Sequence, residues 1–336
     1  MSFPGGSSSG SGTVRRRSIV KGISQNALGI ANRVVAASPI LEAFGNASTL
    51  RNPNSSRFGR WMELTFDGNN HITGSTITSY LLEVGRVTAT SPGERSYHIF
   101  YQILRGMDKA ELQQLGVSSA CVAHRYLAGT ATIPPTASGS ADGGSSNAGP
   151  PPTPGEAPDL KDAENFHELR SAFVSMGIPS LPAPQGSSPP HLLDSTSLFS
   201  LIAGILLLGN VEFASLDEGE ASRVCDESDG TGGTVRASRL LGVEDYQLKE
   251  SLCKRTITSG ARKSVVTVSL TSKRAAENRD SLARAIYGRV FTYVIACINK
   301  QNETSVSGAG AAVKCIGLLD VFGFEIFQRN RYVLIF

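Results

Sequence analysis

The sequence has few of the features that mark several common protein classes. It has five cysteines and no C-x-x-C pair, which argues against a disulfide framework or a zinc finger and favours a reduced, cytosolic compartment. The five histidines do not cluster at metal-ligand spacing, so no zinc site is predicted. Lys and Arg number 32 against 29 Asp and Glu, and a net charge of +3 gives no bulk signal for nucleic-acid binding.

Long apolar runs are also missing. The most apolar stretch, Leu198–Leu208, is too short to cross a bilayer and is closed by Gly209, so no membrane span is predicted. The first twelve residues are rich in Gly and Ser and contain no apolar segment. We therefore expect no secretory signal there.

Glycine and proline are unevenly distributed along the chain. Residues 129–158 contain seven Pro and six Gly, and further low-complexity stretches occupy 179–190 and 217–233. Such composition cannot pack a core and is typical both of low-complexity insertions and of retained intron sequence. The 40% of hydrophobic residues can still build a core, and 336 residues permit two or three domains or one large α/β body. We expect a disordered N-terminus over 1–17, followed by one body over 18–330 into which the three stretches are inserted.

Hydrophobic periodicity predicts both helices and strands. The expected helices are Gln25–Ala37, Tyr97–Leu104, Lys109–Leu115, Ala163–Met176, Ser195–Leu208, Ala237–Leu241, Tyr246–Cys253 and Ala275–Asn299. The expected strands are Trp61–Phe66, Val211–Phe213, Val265–Leu270 and Val313–Leu319.

Two segments contain side chains suited to nucleotide chemistry. The apolar strand Val313–Leu319, expected to be buried, delivers Asp320, and Gly323 follows three residues later. A carboxylate there can orient the water shell of Mg²⁺, and a glycine amide can approach a γ-phosphate. The loop Arg51–Arg60 combines hydroxyls, amides and guanidinium groups that suit phosphate and Mg²⁺ contacts. Taken singly, the first segment is better explained as a strand followed by a turn, and the second as a polar turn that uses Asn and Ser for backbone capping.

Considered together, these segments resemble the myosin motor head. The similar stretches occur in the family's order and are Leu41–Ala47 (LEAFGNA), Asn52–Gly59 (NPNSSRFG), Gly93–Gln102 (GERSYHIFYQ) and Asp320–Glu325 (DVFGFE). The resemblance implies an α/β, P-loop NTPase-like motor core, with a mostly helical upper actin-binding subdomain and part of the central sheet. It also implies ATP and Mg²⁺ as cofactors, the actin filament as partner, and a cytoplasmic, cytoskeletal location.

The same resemblance assigns the loop Asn52–Gly59 to switch I. Ser56 would donate its hydroxyl oxygen to Mg²⁺, and Ser55 would help to position the γ-phosphate and the attacking water. Asn52 would contact the nucleotide, and Asn54 would support the loop.

Asp320–Glu325 would then be switch II. Asp320 would support Mg²⁺ through its water shell, and the Gly323 amide would meet the γ-phosphate. Arg57 and Glu325 would form the ion pair that closes the site around the attacking water.

Ser264 is a candidate regulatory site. It lies sixteen residues before Asp280, at the position where the family has an acidic or phosphorylatable residue on an actin-facing loop, and it follows Arg262 and Lys263. A phosphate would add negative charge at that contact. An ordinary exposed serine at a strand start explains the sequence equally well.

The family's phosphate-binding loop, G-x-x-x-x-G-K-[ST], does not occur in the sequence. After Asn330 the residues 331–336 diverge from the family, and the relay, the lever arm and the light-chain or calmodulin-binding neck have no counterpart. We therefore expect an incomplete motor head that is inactive alone. The functional expectation is an actin-based motor ATPase in the complete parent; the alternative is a non-catalytic, actin-binding or scaffolding remnant.

Overall fold

The computed structural model describes residues 25–128, 158–178, 194–216, 219–225, 232–259, 264–303 and 314–321. Within these ranges the helices are α1 (Gln25–Gly45), α2 (His98–Gly106), α3 (Lys109–Leu115), α4 (Arg125–Ala128), α5 (Pro158–Ser175), α6 (Ser195–Gly209), α7 (Gly233–Leu241), α8 (Asp245–Cys253) and α9 (Ser272–Asn302). The strands are β1 (Asn46–Ala47), β2 (Ser55–Ser56), β3 (Gly59–Phe66), β4 (Ile72–Tyr80), β5 (Glu212–Leu216), β6 (Ala221–Cys225), β7 (Lys254–Ser259), β8 (Ser264–Ser269) and β9 (Lys314–Asp320). This mixed helix and strand content agrees with the predicted α/β class.

The N-terminus, the divergent C-terminus and the low-complexity stretches fall mostly outside the described residues. This applies to 1–17, 179–190 and 331–336, and to 129–158 except its last residue, which begins α5. Within the third low-complexity stretch, 217–233, β6 pairs with β5 along its whole length. Ser222 of β6 donates its hydroxyl to the carbonyl of Leu270 at 2.7 Å, which ties the hairpin to the body.

Helix α1 continues eight residues beyond its predicted end at Ala37 and includes Pro39. Proline lacks an amide proton and normally ends a helix, at a cost of about 3 kcal/mol. The residues after it, however, include Ile40, Leu41 and Phe44, all of them buried. Burying three such side chains contributes roughly 1.5–3 kcal/mol each, which outweighs the proline penalty.

The hydrophobic core forms around α9. The ring of Tyr287 stacks on those of Tyr97 and Phe100, with centroids 4.7 and 5.4 Å apart. Its hydroxyl donates to the backbone carbonyl of Phe44 at 2.7 Å, at the C-terminal end of α1. One side chain therefore joins α1, α2 and α9, and its polar tip is satisfied although it is fully buried.

Polar residues at both ends of α9 bind the backbone of other elements. Arg279 is almost fully buried and donates to the carbonyl of Val211 at 2.6 Å and to the Asp280 carboxylate at 2.7 Å. The Asn299 amide accepts from the Ile77 amide at 2.7 Å and donates to the Ile77 carbonyl at 2.8 Å. These bonds fix α9 against the start of β5 and the middle of β4.

The largest sheet is antiparallel, with the order β4-β3-β9. The prediction that the last strand is buried is wrong, since Ile316, Leu318 and Leu319 are 50–63% exposed. Among the described residues β9 pairs with β3 alone and has no layer packed on it, so its apolar side chains lie at an open edge. The ring of Trp61 in β3 lies directly over Gly317, where a β-carbon would meet it at 2.0 Å.

Within the described ranges, α9 is the helix whose length and composition would allow a membrane span, with a mean hydropathy of 1.3 over 18 residues. The same properties belong to core helices of soluble proteins. Its contacts with α1, α6, α8 and β4 give it that core position here.

Replacing either of two helical glycines by alanine should change the free energy of unfolding in opposite directions. A β-carbon at Gly106 of α2 would lie 2.3 Å from the β-carbon of Phe166 in α5, which can move only if the helices separate. We expect Gly106→Ala to lower the free energy of unfolding by about 1–3 kcal/mol in urea denaturation.

The matched control is Gly288→Ala in α9, where the nearest atom to the new β-carbon is Val84 Cγ1 at 3.5 Å. This change should be neutral or stabilising by about 0.5–1 kcal/mol, because alanine loses less backbone freedom on folding. Equal destabilisation by both variants would contradict the close packing of α2 on α5.

Candidate functional site

The predicted switch I segment is a hydrogen-bonded loop closed by β1 and β2. These two-residue strands pair Asn46 with Ser56 and Ala47 with Ser55. The amide of Arg57 then donates to the Gly45 carbonyl at 2.9 Å, which extends the pairing by one step. The loop is therefore anchored to the end of α1, and its conformation depends on that helix.

Asn52 shapes the tip of this loop. Its carbonyl accepts from the Thr49 amide at 2.9 Å, and its own amide donates to Thr49 Oγ1 at 3.2 Å. Its side-chain oxygen accepts from the amide of Asn54 at 2.8 Å. The Asn52 side chain thus serves the backbone in this structure, as the polar-turn interpretation predicted.

Asn54 supports the loop through three side chains. Its Nδ2 donates to Glu42 Oε2 at 2.9 Å, and its Oδ1 accepts from Asn46 Nδ2 at 3.0 Å. The same oxygen lies 3.0 Å from His98 Nε2. An amide oxygen only accepts, so His98 holds its proton on Nε2. This arrangement links α1, the loop and α2.

The environment of His98 keeps its ring uncharged. Burial, together with the positive charges of Arg95 and Lys161, lowers the pKa of His98 to about 4. A neutral ring with its proton on Nε2 is the form that can donate to Asn54 while leaving Nδ1 without a proton.

The two adjacent serines differ in their surroundings. Ser55 is buried, and its hydroxyl accepts from Arg57 Nη1 at 3.0 Å. Ser56 is half-buried, and its hydroxyl makes no hydrogen bond with any residue in the described part of the chain. Of the two, Ser56 has the hydroxyl that remains available to an added ligand.

The carboxylate of Glu83 binds two arginines. Its Oε2 accepts from Arg57 Nε at 2.7 Å and from Arg86 Nε at 3.0 Å, and Arg86 Nη1 also donates to Glu94 at 2.9 Å. Burial opposes the charge on Arg86 most strongly, but the hydrogen bonds and charges of Glu83 and Glu94 outweigh it and raise the pKa of Arg86. Glu83 thus connects the loop to a buried, paired cation.

Asp320 lies at the end of the sheet where the loop enters β3. It pairs in register with Arg60, three residues after Arg57, and its Oδ2 accepts from Arg60 Nη2 at 3.0 Å. Its side chain is about half exposed. Gly323 and Glu325 lie outside the described residues, so the proposed Arg57–Glu325 ion pair remains a prediction.

Ser264 is the first residue of β8 and pairs with Ser259, the last residue of β7. This position is at the end of the hairpin where the two strands are connected, next to residues 260–263, which lie outside the described ranges. The prediction that Ser264 stands at a strand start is confirmed. Its role stays a prediction.

Sequence reasoning missed three side chains of this site, namely Glu42, Glu83 and His98. Each belongs to a helix or a turn that is 12 to 44 residues away from its partner in the loop. Glu42 and His98 lie inside two of the four stretches that resemble a motor head, but no spacing rule connects them with Asn54.

The site offers a metal ion oxygen ligands and not a cluster of histidine and carboxylate side chains. No group of three or more His, Cys, Asp or Glu side chains in the described ranges could hold an ion. Mg²⁺ prefers oxygen ligands and retains several waters, so it needs few protein groups. The Ser56 hydroxyl and the Asp320 carboxylate fit that requirement.

Comparison with known proteins identifies the class. The family model for the myosin head (motor domain) matches residues 12–335. The Myosin IE heavy chain of Dictyostelium discoideum is 33% identical over 311 residues, covering 92% of this chain and 27% of that protein. The unconventional myosin IC of Drosophila melanogaster is 35% identical over 304 residues, covering 90% and 25% respectively. The myosin-K heavy chain of Dictyostelium discoideum is 35% identical over 301 residues, covering 89% and 30%.

The α/β body and the loop that leads into β3 are therefore those of a motor domain. The chain belongs to the myosin head (motor domain) family, and the three relatives named are myosins. It spans about a quarter of the length of the relatives it matches.

The low pKa of His98 predicts a loss of stability in acid. The unfolded histidine takes up a proton near pH 6.5, whereas the folded ring does so only near pH 4. The free energy of unfolding should therefore fall as the pH drops from about 6.5 to 4, by at most about 1.4 kcal/mol per pH unit for this group. His98→Gln keeps a side-chain donor and should flatten the profile measured by urea denaturation.

The exposed His167→Gln variant is the control and should retain the wild-type slope. His124, whose pKa is also lowered by burial, should preserve part of the pH dependence in both variants. Identical profiles for His98→Gln and the wild type would show that the ring is not held neutral.

Proposed function

We propose that this chain is the part of an actin-based motor that contains both nucleotide-sensing loops and the upper actin-binding subdomain. The whole motor would hydrolyse ATP and couple phosphate release to binding of the actin filament in the cytoskeleton. One observation supports this most directly. Ser56 keeps a hydroxyl without a partner among the described residues, and it lies four residues before Arg60, whose register partner in β9 is Asp320.

The roles of individual residues in this proposal are those that the family resemblance implies. The Ser56 oxygen would bind Mg²⁺ directly, and Asp320 would orient its water shell. Bound Mg²⁺ supplies positive charge that offsets the charge developing on the phosphates. Ser55 is held by Arg57 and would position the attacking water, while Asn52 would contact the nucleotide and the Gly323 amide would meet the γ-phosphate.

Arg57 would act as a latch between the loops. At present its Nε is bound to Glu83 and its Nη1 to Ser55. Forming an ion pair with Glu325 requires Arg57 either to exchange carboxylates or to share its guanidinium between them. Because a guanidinium has five donors, sharing is geometrically possible. Glu83 would then set the orientation from which Arg57 meets Glu325.

The absence of G-x-x-x-x-G-K-[ST] from the sequence limits what this chain does alone. That loop supplies the amides and the lysine that hold the β- and γ-phosphates. We expect the 336-residue chain to bind Mg·ATP weakly and to produce no movement. A second candidate is an actin-binding or scaffolding remnant without catalysis. Sequencing the transcript discriminates between them, since an in-frame upstream phosphate-binding loop and a downstream relay helix belong only to the motor.

The latch predicts a specific kinetic defect. In a head that joins this segment to a phosphate-binding loop, Glu325→Ala should abolish ATP cleavage in a single turnover while nucleotide binding is retained. Arg57→Ala should behave in the same way, because either change removes the ion pair. Glu164→Gln, which removes an exposed carboxylate of α5, serves as the control and should retain cleavage. Normal single-turnover cleavage by Glu325→Ala would exclude the assigned role.

The regulatory site predicts that charge at position 264 controls the actin contact. In the same head, Ser264→Ala should lower actin-activated ATP turnover, and Ser264→Glu should preserve it at the level of phosphorylated protein. Ser269→Glu, at the other end of β8, is the matched control and should have no effect. Equal turnover for Ser264→Ala and Ser264→Glu, or an intact mass without phosphate under activating conditions, would count against this site.

A further inference from the structure

A basic cavity lies between α3 and α7, and none of its lining residues belongs to the loop of Asn52–Gly59 or to β9. Its volume is about 790 Å³. The polar side chains that line it are Lys109, Gln113, Ser118, Ser119, Arg236 and Arg239. Among the described lining residues there are three positive charges and no Asp or Glu.

The acidic side chains next to Lys109 in sequence are already engaged. Asp108 and Glu111 form the capping box of α3, with the Glu111 amide donating to Asp108 at 2.8 Å. Glu111 also forms an ion pair with Arg170. Neither carboxylate lines the cavity, and within the described ranges Lys109, Arg236 and Arg239 form no ion pair.

The fold positions both arginines. They are three residues apart on α7 and therefore project from the same side of the helix. Arg239 Nη2 donates to the Gln114 carbonyl at 3.3 Å, near the end of α3. Gly116 has a φ of 67°, and a β-carbon there would lie 3.4 Å from Arg236 Cδ. The stem of Arg236 consequently lies along the turn that ends α3.

Three like charges around one cavity repel each other, and an anion would remove that repulsion. Arginine presents a planar fork of donors that matches the oxygens of a phosphate, and lysine adds a compact positive charge. The volume exceeds what a single phosphate needs. We propose that the basic cavity binds a small soluble anion with two or three linked phosphate groups, at a site separate from the loop of Asn52–Gly59.

The test is isothermal titration of the full 336-residue chain with inorganic tripolyphosphate. Loss of one arginine contact should weaken binding about tenfold or more in Arg236→Gln. Lys109→Gln should weaken it severalfold. Lys273→Gln removes one positive charge from the exposed surface of α9 and should leave the affinity unchanged. Raising the salt concentration should weaken binding, because the attraction is electrostatic.

Further measurements keep the proposal falsifiable. Arg236→Lys preserves the charge and should bind more weakly than wild type, which covers the case in which Arg236→Gln fails to fold by circular dichroism. Unchanged affinity in the folded arginine variants would overturn the proposal. So would loss of binding in Ser56→Ala or Arg57→Gln alone, because the anion would then occupy the loop. Equal affinity for orthophosphate and tripolyphosphate would overturn the requirement for linked phosphates.

Discussion

The described structure depends on α9 being fixed to the backbone of several other elements. Tyr287 bonds the last turn of α1, Arg279 bonds the start of β5, and Asn299 bonds the middle of β4. Each of these bonds satisfies a backbone group that burial would otherwise leave without a partner, at a cost of about 1–3 kcal/mol. Helices and strands that are distant in sequence are therefore all positioned against one helix, α9.

The position of the candidate site also depends on α9. The loop is anchored by the end of α1, to which Tyr287 is bonded, and Phe58, just after Arg57, packs edge-on against Phe291 of α9 with centroids 4.9 Å apart. Asn54 then connects the loop to α1 and α2. The Arg57–Glu83 pair is partly exposed, and exposed ion pairs contribute little to stability. Asn54 and Phe58 thus anchor the loop, whereas the side chain of Arg57 makes the contact that can be exchanged.

Sequence reasoning succeeded where a pattern was long or local. The helices Lys109–Leu115 and Ser195–Gly209 were predicted almost to the residue from hydrophobic periodicity. In the structure an Asp caps the start of each, which explains why they begin where they do. Strands β4 and β7 were missed, since hydroxyl-rich sequences such as ITGSTITSY show weak apolar alternation and gain stability mainly from their partner strands. Asn54 was assigned a supporting role from the resemblance, but its partners Glu42 and His98 are defined only by tertiary packing.

The open position of β9 has a consequence for the chain in solution. Among the described residues β9 is paired on one edge only, and a strand with such an edge and apolar side chains on its faces is a template for another strand. The charged residues of β9, Lys314 and Asp320, stand at its two ends, so its middle, CIGLL, has no lysine or proline to discourage such pairing. Two copies can therefore align their β9 strands edge to edge. Self-association through this strand would sequester Asp320 and Arg60 together, so oligomers of the chain would present a different charge pattern at the loop than the monomer does.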